Sequence, residues 1–466
     1  MDDLPDVVLM EILCRLPCYK FVSHCKCVSK RWCSLISDPY FISRCASLQR
    51  EYHHQETPII LINKKRELLN RISNPLKPFF RRFKKFHGGL IQEEPMVAGA
   101  YNDLLLCYTG NYYDRAYYIC NPYSQQWVAL PPAPPCDEKT VPITEGFMCD
   151  LPCYNNNPKY CAAKEDDDPK GHNSNNIAQI NTNYRCRVVR LICTCYEVSN
   201  RKFKVQIFSS ETGQWRETIV SSPRDIRLSR VQFHICFANA YNRMLYWICS
   251  SFFLLELDPF IITNPTSTSD GDYECRLIDL EDDDWDSNRI LSCLGVHGGR
   301  LKMFDYVSAV NTFFVWDLNV NKEEYHGGFE KVCLDNVTYY ILEKDMVPKR
   351  EDAMDTECIA LDPNNEEIIY LVIDDEIVMF NIRTRIQSKL DGRITIDNGL
   401  NCQFFQVVVP WWPTPVPRLP QNAHAQSATK NQSQWEEEMG KVMESAPSAQ
   451  LQSSSESCGE AAGPDE

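Results

Sequence analysis

Residues 116–130 read AYYICNPYSQQWVAL: an apolar run, a polar pivot at Asn121, and an aromatic, Trp127, six residues past the pivot. The same order returns at 205–218, VQIFSSETGQWRET, with Ser209 as pivot and Trp215 as aromatic. Looser copies follow at 252–260 (FFLLELDPF), 313–325 (FFVWDLNVNKEEY) and 377–390 (IVMFNIRTRIQSKL). A second kind of run precedes several of them: YNDLLLCY at 101–108, YNRMLYWI at 241–248, HGGRLKMF at 297–304 and NEEIIYLV at 365–372. Short β-branched and aromatic runs broken by turn residues predict strands, and a repeated strand-turn-strand unit predicts radially arranged sheets, a β-propeller.

The repeating region runs from about 93 to 410 and contains one insertion, roughly 154–186, rich in Asn, Asp, Lys and Pro. Without the insertion about 280 residues remain, enough for about six blades at about 40–50 residues each. CQFFQVVVP at 402–410 is the expected closing strand. Closure protects sheet edges from pairing with other chains. Two packed β-sheets are the alternative arrangement.

At 466 residues and 44% hydrophobic content the chain exceeds what one core usually supports, so smaller attachments to a large domain are expected. No apolar run reaches the about eighteen residues of a membrane helix, and the opening MDDLP is acidic where a signal peptide is basic. The expectation is a soluble protein of the cytoplasm, the nucleus or both, with no membrane contact. The 23 cysteines are scattered without a framework spacing and are expected as reduced thiols, many of them in the core.

The net charge of −15 is unevenly spread: residues 46–90 hold ten Lys/Arg against three Asp/Glu, whereas everything after residue 90 sums to −23. An acidic body argues against a nucleic-acid partner. The basic stretch KKRELLNRISNPLKPFFRRFKKFH at 64–87 interleaves Phe79, Phe80, Phe83 and Phe86. The favoured reading is a linker whose phenylalanines dock on the next domain while its cations face water; an import signal or a nucleic-acid or lipid contact are the rivals. After Trp412 the composition turns to Pro, Gln, Ser, Ala and Glu, which predicts a disordered tail.

Near the start, residues 14–33 read CRLPCYKFVSHCKCVSKRWC, five cysteines and a histidine in twenty positions. Zinc sites need paired cysteines converging on one tetrahedral point, and this stretch has no C-x-x-C. Its pattern is helical instead. Val8, Ile12 and Leu16, with Leu9 and Leu13 beside them, form an apolar stripe that Asp6 can cap and Pro17 ends. A second helix places Phe21, Cys25 and Val28 on one face, and Ser29 opens a third that turns Trp32, Leu35 and Ile36 inward. Three short helices carry more apolar positions than so small a bundle hides, and the excess points to a partner.

These residues also carry a resemblance. Leu4-Pro5-Asp6, Glu11-Ile12-Leu13 through Leu16-Pro17, Cys27 through Trp32, Leu35-Ile36 and Asp38-Pro39-Tyr40-Phe41 resemble an F-box, particularly the plant form, over residues 2 to about 45. The spacing between Pro17 and Trp32 is one residue longer than the commonest pattern. The resemblance implies binding to a Skp-family adaptor, and through it a cullin, with Leu4, Pro5, Ile12, Leu16, Pro17, Val28 and Trp32 at adaptor-facing or adaptor-supporting positions. Ile119 to Pro131, ICNP-x-x-x-x-W-x-x-LP, is similar to the F-box-associated, kelch-like domain of plant F-box proteins; Asp103 stands where that family usually has glycine.

The expected architecture is therefore multidomain, α plus all-β: a three-helix F-box at 1–45, a basic linker at 46–92, a β-propeller of about six blades at 93–410, and a disordered tail at 411–466. The resemblance implies the substrate-recognition subunit of a Skp-cullin-F-box ubiquitin ligase, whose propeller holds an unknown target protein. The rivals are a propeller-based ligand sensor or enzyme and an adaptor-binding regulator that promotes no degradation. The chain has no nucleophile elbow, zinc-protease, Walker A or dinucleotide motif. Its three His-Gly-Gly sequences, at 87, 297 and 326, read as tight turns, and the EDDD runs at 165–168 and 281–284 as solvated loops. No catalytic residue, metal or cofactor is expected.

Overall fold

The computed structural model describes residues 4–16, 19–38, 40–41, 44–45, 59–63, 79–83, 95–110, 115–135, 140–150, 184–194, 200–226, 238–249, 253–260, 273–279, 290–297, 300–307, 312–326, 329–341, 356–365, 367–373, 376–384, 386–389, 404–409 and 413–420. The N-terminal part contains helices α1 (Asp6–Cys14), α2 (Tyr19–Cys25) and α3 (Lys30–Ser37). Ser29 caps α3, its hydroxyl accepting from the Trp32 amide at 3.2 Å, as its residue type and position predict. Asp6 does not cap α1. Pro5 holds the cap position, and the Asp6 carboxylate instead receives Arg31 Nε at 2.8 Å. That carboxylate still lies in the first helical turn, where the helix dipole favours it.

Apart from short helical turns at 40–41, 44–45 and 79–83 and the extended residues 413–420, the rest of the described chain is strands and their connections. After β1 (Ile59–Asn63), the strands β2 (Met96–Tyr101), β3 (Leu104–Thr109), β4 (Ala116–Asn121) and β5 (Gln126–Ala129) make an antiparallel meander. A second sheet is β6 (Thr140–Cys149), β7 (Cys186–Thr194), β8 (Asn200–Ser209) and β9 (Gln214–Ile226). The short β13 (Tyr273–Glu274) joins β9 in parallel. In the third sheet β10 (Asn239–Tyr241), β11 (Met244–Cys249), β12 (Phe253–Leu257) and β14 (Arg276–Asp279) run in order. A lone parallel bridge from Asp279 to Lys331 continues that sheet into β15 (Ile290–His297), β16 (Arg300–Val307), β17 (Thr312–His326) and β18 (Phe329–Ile341). The last meander is β19 (Thr356–Leu361), β20 (Ile368–Ile373), β21 (Glu376–Asn381) and β22 (Gln387–Lys389), followed by β23 (Phe404–Val408).

At three of the pivots a side chain closes the turn, whereas at Ser209 the main-chain carbonyl accepts from the Gly213 amide at 2.9 Å. Asn121 Oδ1 accepts from the amides of Tyr123 and Ser124, Asn381 Oδ1 from Arg383 and Thr384, and Asp258 Oδ1 from Phe260. A short polar side chain satisfies the orphan amides of a tight turn, and this is why Asn or Asp recurs there. The aromatic six residues on pairs back across the turn, Trp127 with Cys120 and Trp215 with Phe208. Two of the His-Gly-Gly sequences are hairpin connections, since His297 pairs with Arg300 and His326 with Phe329. The third, at 87, and both EDDD runs lie outside the described residues.

Neighbouring sheets pack through their first strands. β2 lies against β6, β6 against β10, β10 against β15, β15 against β19, and β23 returns to β2. The contacts are close: a Cβ on Gly146 of β6 would come within 2.8 Å of Leu245 Cδ1 and Trp247 Cζ2. Between the first and second sheets the buried Arg115 and Glu145 form an ion pair, and the Tyr117 hydroxyl donates to Glu145 Oε1 at 2.8 Å.

Three boundaries differ from the sequence reading, and one expectation for the basic segment holds. The segment taken as a linker contains β1, which pairs antiparallel with β23 from Ile59–Val408 to Asn63–Phe404. Its Ile60 and Ile62 pack with Phe405, Val407 and the first meander, while Leu61 packs against Ala360, Tyr370 and Ile377 of the last. The closing strand at 404–408 thus finds its partner far upstream, and the sheet region starts near residue 59. Secondly, Phe79, Phe80 and Phe83 are buried against Trp127 and Tyr118 with Arg81 and Arg82 exposed, so the docked reading of the basic segment holds for the described residues. Thirdly, the insertion ends before Tyr184, which is already buried. Lastly, residues 413–420, expected in the disordered tail, lie packed on the first two sheets; prolines that cannot join a ladder still offer apolar surface to bury. Residues 421–466 lie outside the described ones.

The cysteines also need a correction. Cys149 and Cys186, partners across β6 and β7, form a disulfide at the base of the insertion, where reduced thiols were expected. Scattered spacing hid the pair because the two residues are 37 apart in sequence and meet only through strand register. Cys14, Cys25, Cys27, Cys33, Cys45, Cys107, Cys120, Cys275 and Cys293 are free thiols.

Candidate protein-docking face

The first 45 residues build their own small core from Leu9, Leu13, Cys14, Val22, Trp32, Ile36, Phe41 and Cys45. In α1 the buried stripe is Leu9, Leu13 and Cys14, whereas Val8 and Ile12, 44% and 46% exposed, point to water. A helix whose apolar residues occupy more than one stripe can hide only one of them in a bundle this thin.

Val7 is 72% exposed, Phe21 51%, Val28 62% and Tyr40 54%. Among the described residues eight large apolar side chains are exposed, and six of them fall between residues 7 and 40; the others are Ile219 and Ile386. Scattered apolar residues on a surface need no explanation, but such concentration on one small unit makes that unit the candidate for docking a partner.

Ion pairs fix the scaffold beneath this surface. Arg31 holds the start of α1, pairing with Asp6 at 2.7 Å and donating through Nη2 to the Leu4 carbonyl. Glu11 receives Arg44 Nε at 2.7 Å. The Arg44 hydrogen bond holds the Glu11 carboxyl below the usual range, against a smaller opposing effect of burial. Cys14 Sγ approaches the Phe41 carbonyl and Cys45 Sγ the Cys14 carbonyl, at 3.8 and 3.9 Å. These cysteines are packing groups of the unit.

The residues singled out from sequence divide into two sets. Pro5, Ile12 and Val28 are exposed, and Leu4 is half-exposed. Trp32 is only 8% exposed and Leu16 packs on the same core, so both support the surface from within. Pro17 lies outside the described residues. The sequence reading missed Val7, Val8, Phe21 and Tyr40 as surface groups. The surplus of apolar positions over bundle capacity was the available signal, though it does not say which positions are surplus.

Among the described residues no group of three or more His, Cys, Asp or Glu side chains is placed to hold a metal ion. No helix among them is long and apolar enough to cross a membrane.

Two family models match parts of the chain. The family model of the F-box domain matches residues 1–44, and that of the F-box protein At3g26010-like beta-propeller matches residues 182–406. The protein thus carries an F-box domain followed by a β-propeller domain of that kind. No curated protein matches the chain.

Similarity to solved structures is low. A structure of prolyl endopeptidases aligns at 11% identity and a TM-score of 0.26, covering 64% of this chain and 34% of the other. The chain spans about a third of that enzyme's length. A Lactobacillus plantarum protein aligns at 11% identity and 0.29, covering 75% and 99% of the two chains. A post-proline cleaving enzyme from Rickettsia typhi aligns at 9% and 0.28, covering 78% and 56%. Alignments at this level carry no argument about function.

Proposed function

We propose that the protein is the substrate-recognition subunit of a Skp-cullin-F-box ubiquitin ligase. The observation that carries this reading is the concentration of exposed apolar side chains on the unit that matches the F-box family, between residues 7 and 40. A Skp-family adaptor would cover Pro5, Val7, Val8, Ile12, Phe21, Val28 and Tyr40, with Leu4 at the edge and Leu16 and Trp32 shaping the surface from below.

The propeller is read as six blades. Five are the meanders that begin at β2, β6, β10, β15 and β19, and the sixth is the ribbon of β1 with β23 that lies between the last and the first. Such a ring presents loops on a rigid frame, which suits it to hold a target protein. This chain would supply proximity, raising the local concentration of target lysines near a conjugating enzyme carried by other subunits, and would do no chemistry of its own. It would act in the cytoplasm or nucleus, where such ligases meet their targets.

The test is reconstitution of the full chain with a purified Skp-family adaptor, followed by size-exclusion chromatography. Co-elution is expected at micromolar concentrations. Separate elution, with both proteins folded by circular dichroism, would overturn the proposal.

A further inference from the structure

The ends of the first two sheets hold a cradle occupied by the chain itself. Residues 413–420 read PTPVPRLP and lie outside any sheet; four of the eight are proline. Proline offers no N–H to a ladder and favours the extended polyproline conformation.

Side chains, not strands, receive this segment. The Thr414 amide donates to Asp103 Oδ2 at 2.7 Å, and the Thr414 carbonyl accepts from Asn121 Nδ2 at 2.6 Å. Asn121 Nδ2 also donates to Asp103 Oδ2 at 2.7 Å, tying the two receptor groups together. Further along, the Tyr184 hydroxyl donates to the Pro415 carbonyl. Val416 and Leu419 pack into the cluster formed by Tyr117, Phe208, Tyr184 and Trp215. Pro420 rests on the turn at Gly213, whose φ of +63° suits glycine; a Cβ there would come within 3.2 Å of the proline ring.

All these groups lie at one end of the meanders. Asp103 lies in the turn from β2 to β3, Asn121 closes β4, Tyr184 stands just before β7, and Gly213 lies between β8 and β9. Polar side chains that read main-chain groups, beside an aromatic wall that takes apolar side chains, are the elements of polyproline-peptide recognition.

We propose that this cradle is a receptor for an extended, proline-containing peptide of a partner protein, and that residues 413–420 are its built-in occupant. The inference rests on the substrate-receptor reading, for which it names the surface that holds the target. Two features make the occupant exchangeable. Its hydrogen bonds run through main-chain groups that any peptide supplies, and, although Pro413, Thr414 and Pro417 are buried, Pro415, Val416 and Leu419 are only partly so and Arg418 and Pro420 are exposed. A tethered occupant competes at an effective concentration of about millimolar, so a free peptide binds weakly until the tether is loosened.

The test uses the full-length chain carrying Val416→Asp and Leu419→Asp, and a fluorescein-labelled synthetic peptide PTPVPRLPQ read by polarisation. The loosened chain is expected to bind the peptide at least tenfold tighter than the wild-type chain does. Adding Tyr184→Phe should weaken that binding about three- to tenfold, and a scrambled peptide should not bind. The proposal is overturned if the loosened chain keeps its circular dichroism and thermal midpoint but does not bind. It is equally overturned if binding ignores both Tyr184→Phe and scrambling.

Should the double variant unfold, hydrogen exchange on the wild-type chain decides. The Thr414 amide is expected to exchange at least tenfold faster than the amides of β3 and β4; equal protection would show that the segment opens only with the sheets, against the proposal. Adaptor binding is measured in parallel. Its loss counts against the substrate-receptor reading, whereas loss of peptide binding with the adaptor retained counts against the cradle alone.

Discussion

Replacing Ile12 and Val28 together by alanine separates a docking role from a folding role. Ile12 is 46% and Val28 62% exposed, so about half of each side chain is already out of water in the free protein. Full burial of such a side chain is worth about 1.5–3 kcal/mol, which leaves roughly 1 kcal/mol per residue for a partner to gain. Alanine keeps the first carbon, so the pair should lose about 1–2 kcal/mol of binding, or about 5–30-fold in Kd. Isothermal titration of the full chain with a Skp-family adaptor measures this. The helical signal and thermal midpoint should stay unchanged, because neither side chain belongs to the core of Leu9, Leu13, Val22, Trp32 and Ile36.

The contrast is Trp32→Ala. Truncating a buried Trp costs about 3–5 kcal/mol, enough to unfold a unit of this size, so its binding loss should come with loss of helical signal. A folded Ile12→Ala/Val28→Ala chain that binds within twofold of wild type would refute the docking assignment.

Three further outcomes are expected. Gly146→Val drives a side chain into Leu245 and Trp247 and should cost about 1–3 kcal/mol, read as a lowered thermal midpoint; an unchanged midpoint would mean that the first strands are not tightly packed. Burial raises the Asp103 carboxyl above its usual range, against the pull of its donors Thr414 and Asn121. Its ionisation therefore opposes folding: wild-type stability relative to Asp103→Asn should be greatest below the unfolded pKa of about 4 and fall as pH rises through the folded value. Urea titrations of both chains from pH 4 to 7.5 check the sign, and a difference that grows with pH would reverse it. Finally, peptide mapping without reductant should recover Cys149 joined to Cys186, and reductant should lower the thermal midpoint, since closing a loop of this length is worth about 3–4 kcal/mol.

What was legible in the sequence is what local chemistry dictates. Asn121 and Asn381 announce turns because their side chains bond to amides two and three residues away, and Ser29 announces a helix start for a similar reason. Trp127 and Trp215 stand at a fixed distance from their pivots because the hairpin returns them to Cys120 and Phe208. Long-range choices were not legible. IILIN at 59–63 is too short to declare its partner, which lies at the other end of the sheet region. Val8 and Leu9 are equally apolar, yet only packing against α3 decides which of them is hidden. PTPVPRLP has the composition of a disordered segment, and only the turns bearing Asp103 and Asn121 show why it is ordered. Asp103 stood out as a departure from glycine, and its partner 311 residues away explains the carboxylate there.

The pairing of β1 with β23 has a consequence for how the molecule is made and unmade. Its two strands are about 350 residues apart, so at ribosomal speeds of about 5–20 residues per second the first waits roughly 20–70 seconds for the second. Throughout that interval Ile60, Ile62 and the facing edge of β2 lack the strand that covers them, which makes the nascent chain a client for chaperones. A machine pulling on the C-terminus must first lift residues 413–420, and this seam is the next element to take the load. The ring would open there before any meander is stretched, and mechanical unfolding traces should show release of this ribbon ahead of the meanders.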